Sequence, residues 1–381
     1  MQPSTKSFYD TLSTELIDSR SNTGKQHNLF FVLVGFILGV ISGRKERVSI
    51  HRFMKNNHSF LCKSTGFDAK STISDVQLGR VLRGLDIKRL NEIVYAYYGV
   101  VIETLGTGEW VSMDGKDLKG SIDSQISSRS EVLVHSVRHS DKSIVASSFY
   151  EGDKDSEKIA VRTLLKESQL DSKSVTLDAL HTDPTTLGQI AAKNGQYIVQ
   201  VKGNQKELTQ DLVSKKKRLE SLNIIKELDK GHGRLEKRTY EFFNIEDCIF
   251  EKRWKPCKLS TLIVVNRHFE VLKTGKIMQE ESFYISNVSL QNDTLVKTQN
   301  LAQGIRGHWS IENVNQIRDV AFKEDAIKTQ RGVYSRAFAI IISLAFACLN
   351  KINPANFVET MEIFTDNKEL FLVFLKNINF F

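Results

Sequence analysis

Two aspartates follow short apolar segments and are the first candidates for metal-dependent chemistry. Asp114 ends the segment 110–114 (WVSMD) and precedes Gly115, while Asp178 ends the segment 174–178 (SVTLD). If both segments are strands of one sheet, the two carboxylates can converge, and they then repel each other unless a cation lies between them. Oxygen-only ligands suit Mg²⁺, or Mn²⁺ as its substitute. Taken singly, each aspartate could instead cap a turn.

A third carboxylate, Glu312, lies in a segment with helical character. His308 precedes it by four residues and Asp319 follows it by seven, so the three side chains share one helical face. With Arg306, this polar face has the groups that two-metal phosphoryl chemistry needs, because one ion activates a water or a 3′-hydroxyl and the other stabilises the departing oxygen. A solvated glutamate is the alternative for Glu312. The other side of the helix is expected to pack inward through Trp309, Ile311 and Ile317.

Basic side chains near these carboxylates could neutralise phosphate charge, although a solvated role is the alternative. Three lysines follow the first aspartate or close a predicted strand, and a histidine lies in the turn after the second aspartate. An arginine within residues 231–238 precedes another strand, where it could hold a nucleic-acid backbone. Such contacts fix position and affinity but carry no base sequence. The residues concerned are Lys116, Lys119, Lys202, His181 and Arg234.

Composition narrows the class of protein. The chain has 381 residues, 40% of them apolar and 26% charged, which is typical of a folded protein with two or three lobes. Lys and Arg outnumber Asp and Glu by 53 to 45, and the net charge of +8 favours a polyanionic partner. The four cysteines are too few for a disulfide framework and too widely spaced for a zinc motif, so we expect reduced thiols in a cytoplasmic protein.

An apolar stretch at residues 29–43 has the composition of a membrane segment. Its uninterrupted part, residues 29–41, would span about 20 Å as a helix, whereas the hydrocarbon core of a bilayer is about 30 Å thick. We therefore expect a buried core helix here and no membrane partner.

The order of predicted elements favours an α/β fold behind a helical N-terminal part. After residue 105 the pattern reads strand, strand, strand, helix, strand, helix, strand, which predicts a mixed sheet with helices on its faces. A lysine-bearing helix from residue 206 to about residue 220 and several β-like segments follow, so we expect a β-rich insertion. Helical character returns from residue 294.

Five motifs, in order and spacing, closely resemble the transposases of the insertion-sequence As-one family, which includes the H-repeat-associated proteins. They are MDGKDLKGS (113–121), TLDALHTD (176–183), YIVQVKGNQ (197–205), GHGRLEKR (231–238) and HWSIEN followed by RDVAFKEDA (308–326). The resemblance covers essentially the whole chain, because the N-terminal part also resembles the helical domain associated with that family.

This resemblance implies a DDE transposase with a ribonuclease-H-like catalytic core, a β-rich insertion and an all-helical N-terminal domain. It assigns Asp114, Asp178 and Glu312 as the catalytic ligands of Mg²⁺. It also implies that the protein binds the inverted repeats of its element, cleaves DNA strands and transfers them to target DNA at the bacterial nucleoid in the cytoplasm. Because two DNA ends must be held together, a homodimer is expected.

The predicted boundaries follow from this organisation. They are 1–105 for the N-terminal domain, which could bind DNA ends, 106–205 for the first part of the catalytic domain, 206–293 for the lysine-bearing helix and the insertion, 294–352 for the glutamate helix and a core helix, and 353–381 for a C-terminal tail.

One segment departs from the family pattern. The family continues as ENxLHWxLD after the glutamate, whereas this chain reads ENVNQIRD at residues 312–319, one residue shorter and without the aromatic or histidine pair. Asp319 could then support the ligands, or this copy could be catalytically impaired and only bind DNA. A stand-alone nuclease with the same fold is a further alternative.

Overall fold

The N-terminal part of the chain is helical. The structure, a computed structural model, describes residues 6–21, 25–122, 130–151, 154–231, 233–329 and 332–381. Helices α1 to α6 span Phe8–Glu15, Leu29–Ile41, Arg47–Asn56, His58–Thr65, Asp75–Arg83 and Ile87–Tyr98. Several begin at a residue whose side chain accepts a first-turn amide hydrogen, namely Ser7, Asn28, Ser74 and Asp86. These caps satisfy donors that a helix leaves unpaired, so the local sequence fixes where the helices start.

A mixed sheet with helices on its faces forms the centre of the next part, as the sequence predicts. Strands β1 to β5 span Trp110–Leu118, Glu131–Arg138, Ile144–Glu151, Ser174–Leu177 and Gln196–Val201, and helices α7 and α8 span Lys154–Glu167 and Pro184–Ala192. The sheet order begins β3-β2-β1-β4-β5. β1 and β4 are parallel neighbours, as are β4 and β5, whereas β2 is antiparallel to β1 and β3. The C-terminal ends of β1, β4 and β5 therefore point to the same edge.

The sheet continues into four longer antiparallel strands. After α9 (Lys206–Lys216) come β6 to β9, which span Asn223–Gly231, Arg234–Asn244, Thr261–Val271 and Lys276–Ser286. β9 pairs with β5 as far as Phe283, opposite Val201 at the end of β5. The preceding residues of β9 pair with β8 and extend about 23 Å past β5, at about 3.3 Å per residue. We call this overhanging part, residues 225–231, 234–240, 265–271 and 276–282, the β arm.

The C-terminal helices pack against the N-terminal ones. Helices α10 to α14 span Thr294–Gly307, Trp309–Val320, Val333–Asn350, Phe357–Asp366 and Lys368–Asn377. α12 lies against α2 and α6 in one hydrophobic cluster. By length and hydropathy it is the one helix in the described part of the chain that could cross a membrane, but 83% of it is buried inside the protein. Residues 353–381, expected only as a tail, supply Phe371 and Phe374 to the same cluster.

Alternate residues of β1 face different layers. Val111 and Met113 pack with the helices α7 and α8 on one face of the sheet. Ser112 and Asp114 point to the other face, where α11 crosses β1 and β2. Side chains of β1 in this region therefore contact elements on both faces of the sheet.

Three expectations about elements need correction. β1 continues to Leu118 because β2 holds its backbone extended after the pairing with β4 has ended, so Asp114 lies within the strand and not at its end. The lysine-bearing helix ends at Lys216 and not near residue 220. The sequence does not predict the strand β6, whose residues are all exposed or half-buried. The helical segment from residue 294 forms two helices, with His308 between them.

Candidate active site

Asp114 and Asp178 come together at the edge of the sheet. The last paired residues of β1 and β4 are Ser112 and Thr176, and each aspartate lies two residues further along its strand. Burial and repulsion from Asp178 raise the pKa of Asp114 to about 7. Asp178 is also a cap, as the simpler interpretation predicts, because its Oδ1 accepts a hydrogen bond from the backbone N–H of Leu180 at 3.0 Å.

Helix α11 follows β1 across the sheet and places a polar face over the aspartates. Three contacts follow each other along β1 and α11. Ser112 Oγ lies 3.2 Å from Ser310 Oγ, and Asn315 Nδ2 donates to Asp114 Oδ2 at 3.2 Å. Further along, Lys116 Nζ donates to Asp319 Oδ1 at 2.5 Å. The helix is therefore fixed in rotation and in translation relative to the first aspartate.

Glu312 lies on this face of α11, between His308 and Asn315. Burial raises the pKa of Glu312, and the nearby charge of Lys202 partly offsets that effect. Among the residues that the structure describes, no three His, Cys, Asp or Glu side chains are gathered closely enough to hold a metal ion. Glu312 is therefore part of the helix that covers the aspartate pair, but the three carboxylates do not surround a common point.

Sequence reasoning missed one carboxylate at this site, Glu157 of α7. Its Oε1 lies 3.4 Å from His181 Nε2, which is also 3.7 Å from Asp178 Oδ1. Glu157 is a further cause of the raised pKa of Asp114. The contact depends on Gly115, because a side chain there would occupy the position of the Glu157 carboxyl group, and the sequence alone does not reveal this relation.

His181 itself is buried against these carboxylates. It is 1% exposed, and neither ring nitrogen has a hydrogen-bond partner. His181 therefore lies beside the second aspartate, and its role as a support for the ligands or as a phosphate contact stays a prediction.

His308 contacts the sheet through Thr176. Its Nδ1 lies 2.9 Å from Thr176 Oγ1, which in turn lies 3.0 Å from His139 Nε2. Burial lowers the pKa of His308 to about 4 and that of His139 to about 3. Both imidazoles are therefore neutral at pH 7, and the contact of His308 with Thr176 holds the start of α11 to β4, while His139 joins the end of β2 to the same threonine.

The two lysines that follow Asp114 are engaged with acidic residues. Lys116 is 6% exposed and contacts Asp319 and, at 3.4 Å, Asp325. Lys119 is largely exposed and donates to Asp325 at 2.8 Å. Asp319 therefore lies next to Lys116 and not between the two aspartates of the site.

Arg234 and Arg306 line a groove between the β arm and the start of α11. The groove has a volume of about 240 Å³, and Arg238, Arg267 and Trp309 are also among its lining residues. Arg306 pairs with Asp229 at 2.5 Å. Trp309, which was expected to pack inward, is 51% exposed, because the inward face of α11 is formed by Ser310, Ile311, Val314 and Arg318.

The aspartate pair has the chemistry that a hard divalent cation requires. Two carboxylates whose mutual repulsion already raises the pKa of Asp114 would be relieved by a positive ion, and their oxygens are the ligands that Mg²⁺ and Mn²⁺ prefer. The two aspartates therefore fit such an ion, to which Glu312 on the adjacent helix would have to move closer to act as a further oxygen donor.

Comparisons with known families match both parts of the chain. A model described as the transposase DDE domain matches residues 132–348, a range that includes Asp178 and Glu312 and begins after Asp114. A second model, described as DDE_Tnp_1-associated, matches residues 12–98, within the helical part.

Two relatives that match most of the chain have names that agree with this family. One, "Putative transposase YncI" of Escherichia coli O157:H7, is 26% identical over 344 residues, which are 86% of this chain and 83% of the relative. Another, "H repeat-associated putative transposase YhhI" of Escherichia coli strain K12, is 26% identical over 346 residues, or 87% of each chain.

Proposed function

The chain belongs to the family defined by the transposase DDE domain, and from this premise we propose that it is the transposase of an insertion sequence. In this proposal it binds the terminal inverted repeats of its element, cleaves DNA strands to free 3′-hydroxyls and joins them to target DNA. The β3-β2-β1-β4-β5 part of the sheet is its ribonuclease-H-like core, and β6 to β9 are the insertion. Residues 1–105 are a helical domain that could bind the DNA ends.

The observation that carries this proposal is the meeting of Asp114 and Asp178 beneath the helix of Glu312. These three residues would hold Mg²⁺, or Mn²⁺ as a substitute, which supplies charge stabilisation and an activated nucleophile when bound. Asn315 donates to Asp114 Oδ2 and so orients that carboxylate. Thr176 and His308 fix the start of α11, from which Glu312 projects.

The β arm gives DNA a route to this edge. It extends beyond the C-terminal ends of β4 and β5, which is the edge at which Asp178 lies. Arg234 of the arm and Arg306 of α10 line the groove that leads to α11, where they would contact the DNA backbone. Lys202, whose charge acts on Glu312, would contact a phosphate near the carboxylates.

Two further features are part of the proposal. A homodimer would hold two element ends together, and a protein that binds double-stranded DNA of a bacterial element would work in the cytoplasm, at the nucleoid. Both follow from the proposed reaction.

A nicking assay with the full chain tests this function. Linear DNA that carries the inverted repeats flanking the gene is incubated with Mn²⁺, and 3′-hydroxyl ends are mapped at nucleotide resolution. We expect cuts at the repeat termini that disappear in Asp114→Asn and Asp178→Asn. Cutting that is unaffected by both substitutions would refute the assignment of the site.

A catalytically impaired DNA-binding protein is the second candidate. The observation that favours it is the partly exposed position of Glu312, outside any set of three gathered metal-binding side chains in the described residues. This candidate predicts repeat-specific binding without cutting in the same assay. A stand-alone nuclease would instead cut DNA with no preference for the repeat termini.

A further inference from the structure

We propose that Glu157 is a fourth carboxylate of the active site and a ligand of its divalent cation, which reaches the ion from the face of the sheet opposite Glu312. This inference rests on the proposed function, because the ion is the one proposed above. None of the motifs that identify the family contains Glu157.

The strand arrangement explains how α7 can reach the site. Val111 and Met113 of β1 contact the layer of α7, so the next residue on that face of the strand is Gly115. An added Cβ at Gly115 would lie 2.8 Å from Glu157 Cδ and 2.9 Å from its Oε2. The carboxyl group of Glu157 therefore packs against the bare backbone of β1, directly after Asp114.

The early end of β4 leaves a gap in the sheet beside Asp114. β4 stops at Leu177, so no strand covers β1 on that side at the level of Asp114. The carboxylate of α7 on one face of the sheet and the carboxylates on the α11 face can therefore approach the same gap.

His181 supplies an independent indication that this gap holds a ligand. The imidazole is 1% exposed and neither nitrogen has a hydrogen-bond partner, although Nε2 lies 3.4 Å from Glu157 and 3.7 Å from Asp178. A buried polar group without a hydrogen bond is costly, and in a native structure each one calls for an explanation such as strain, a catalytic role, a water or an ion. The imidazole is thus aimed at the carboxylates that would surround the ion.

Tyr150 fixes the orientation of the new ligand. Its hydroxyl donates to Glu157 Oε2 at 3.0 Å. One carboxyl oxygen is thereby held by the tyrosine, and the other, Oε1, faces His181 and the gap. An arrangement in which one oxygen is anchored and the other is directed at the site is typical of metal-ligating carboxylates.

Mn²⁺ binding by the full chain tests this inference without reference to DNA cleavage. Free Mn²⁺ is titrated by electron paramagnetic resonance against wild type, Glu157→Gln, Asp114→Asn and Glu167→Gln, a matched control at the exposed end of the same helix. We expect about a 10-fold or greater loss of Mn²⁺ affinity in Glu157→Gln and in Asp114→Asn, and no change in Glu167→Gln. An unchanged affinity in Glu157→Gln beside a loss in Asp114→Asn would overturn this inference alone, whereas no Mn²⁺ binding by wild type would overturn the proposed function as well.

Two more variants separate ligation from a structural role. Tyr150→Phe removes the hydrogen bond to Glu157 but keeps the carboxylate, so Mn²⁺ affinity should fall less than in Glu157→Gln. Gly115→Ala places a methyl group where the carboxylate packs, and it should weaken Mn²⁺ binding while Glu157 remains present. Equal losses in Tyr150→Phe and Glu157→Gln, with none in Gly115→Ala, would show that Glu157 only supports the fold.

Discussion

Asn315 donates its amide hydrogen to Asp114, and the same amide accepts a hydrogen bond from a buried histidine. The distances are 3.2 Å from Asn315 Nδ2 to Asp114 Oδ2 and 2.8 Å from His135 Nε2 to Asn315 Oδ1. Burial lowers the pKa of His135 to about 3, so its ring is neutral at pH 7 and donates through Nε2. The amide is therefore locked in the one orientation that presents a donor to the aspartate.

Asn315→Ala should destabilise the folded protein by about 1–3 kcal/mol, because it leaves the buried His135 donor without a partner. The measurement is urea unfolding at pH 7. Asn313→Ala, at an exposed position on the same helix, makes the same change of residue type and should alter stability far less. Equal losses of unfolding free energy in the two variants would contradict the role of Asn315 as the hydrogen-bond partner of His135.

Asp114→Asn should stabilise the metal-free protein at pH 8. The pKa of Asp114 is about 7 in the folded state against an ordinary value of 3.8, so the stability it contributes is complete below about pH 4 and is lost as the pH rises through about 7. Since one pKa unit corresponds to about 1.4 kcal/mol, the variant should gain about 2–4 kcal/mol over wild type at pH 8 and little at pH 4.

Urea unfolding in EDTA at both pH values checks this expectation. Asp68→Asn, an exposed position, is the control and should differ from wild type equally at pH 4 and pH 8. A variant less stable than wild type at pH 8 would show that burial and repulsion do not raise the pKa of Asp114.

The sequence predicted the mixed sheet and its flanking helices, because strand and helix patterns are clear in these segments, and its motifs indicated the family through their resemblance. From the sequence, the carboxylates of Asp114 and Asp178 can converge if their segments belong to one sheet, and the structure shows that the two strands are parallel neighbours whose C-terminal ends lie at one edge. Glu157 could not be found in this way. Its place at the site depends on the crossing of α7 over β1 and on the absence of a side chain at Gly115, which are tertiary relations.

The orientation of α11 shows a second limit of sequence reasoning. Hydrophobicity alone favours an inward Trp309, but the structure turns the helix so that Arg318 is 1% exposed and Trp309 is 51% exposed. A buried ion pair outweighs the apolar pattern here, because Arg318 donates to both carboxyl oxygens of Glu324 at 2.7 Å. A pattern of residue types does not reveal such a partner.

Arg318→Met should therefore cost about 3–5 kcal/mol of unfolding free energy, because it leaves the Glu324 carboxylate buried without its partner. The double variant Arg318→Met with Glu324→Met should recover most of this loss, since replacing both charges removes the unpaired group. The exposed pair Arg253 and Glu251 is the comparison, and Arg253→Met should cost about 0.5 kcal/mol or less. Chemical unfolding of the four proteins provides the measurement, and a double variant as unstable as the single one would rule out the ion pair as the cause.

Arg234→Ala should weaken DNA binding to a similar degree for every sequence. Arg234 is exposed on the β arm, where it stacks over Phe269 at 5.6 Å and lines the groove beside α11. The loss of one phosphate contact makes the slope of log affinity against log salt concentration less negative by about 0.9, whether or not the DNA carries the inverted repeats. Fluorescence anisotropy across a salt series measures that slope, with Lys193→Ala, just before the opposite end of β5, as the control. A loss of affinity confined to the repeat sequence would instead mean that Arg234 reads bases, and an unchanged slope would place the DNA path away from the β arm.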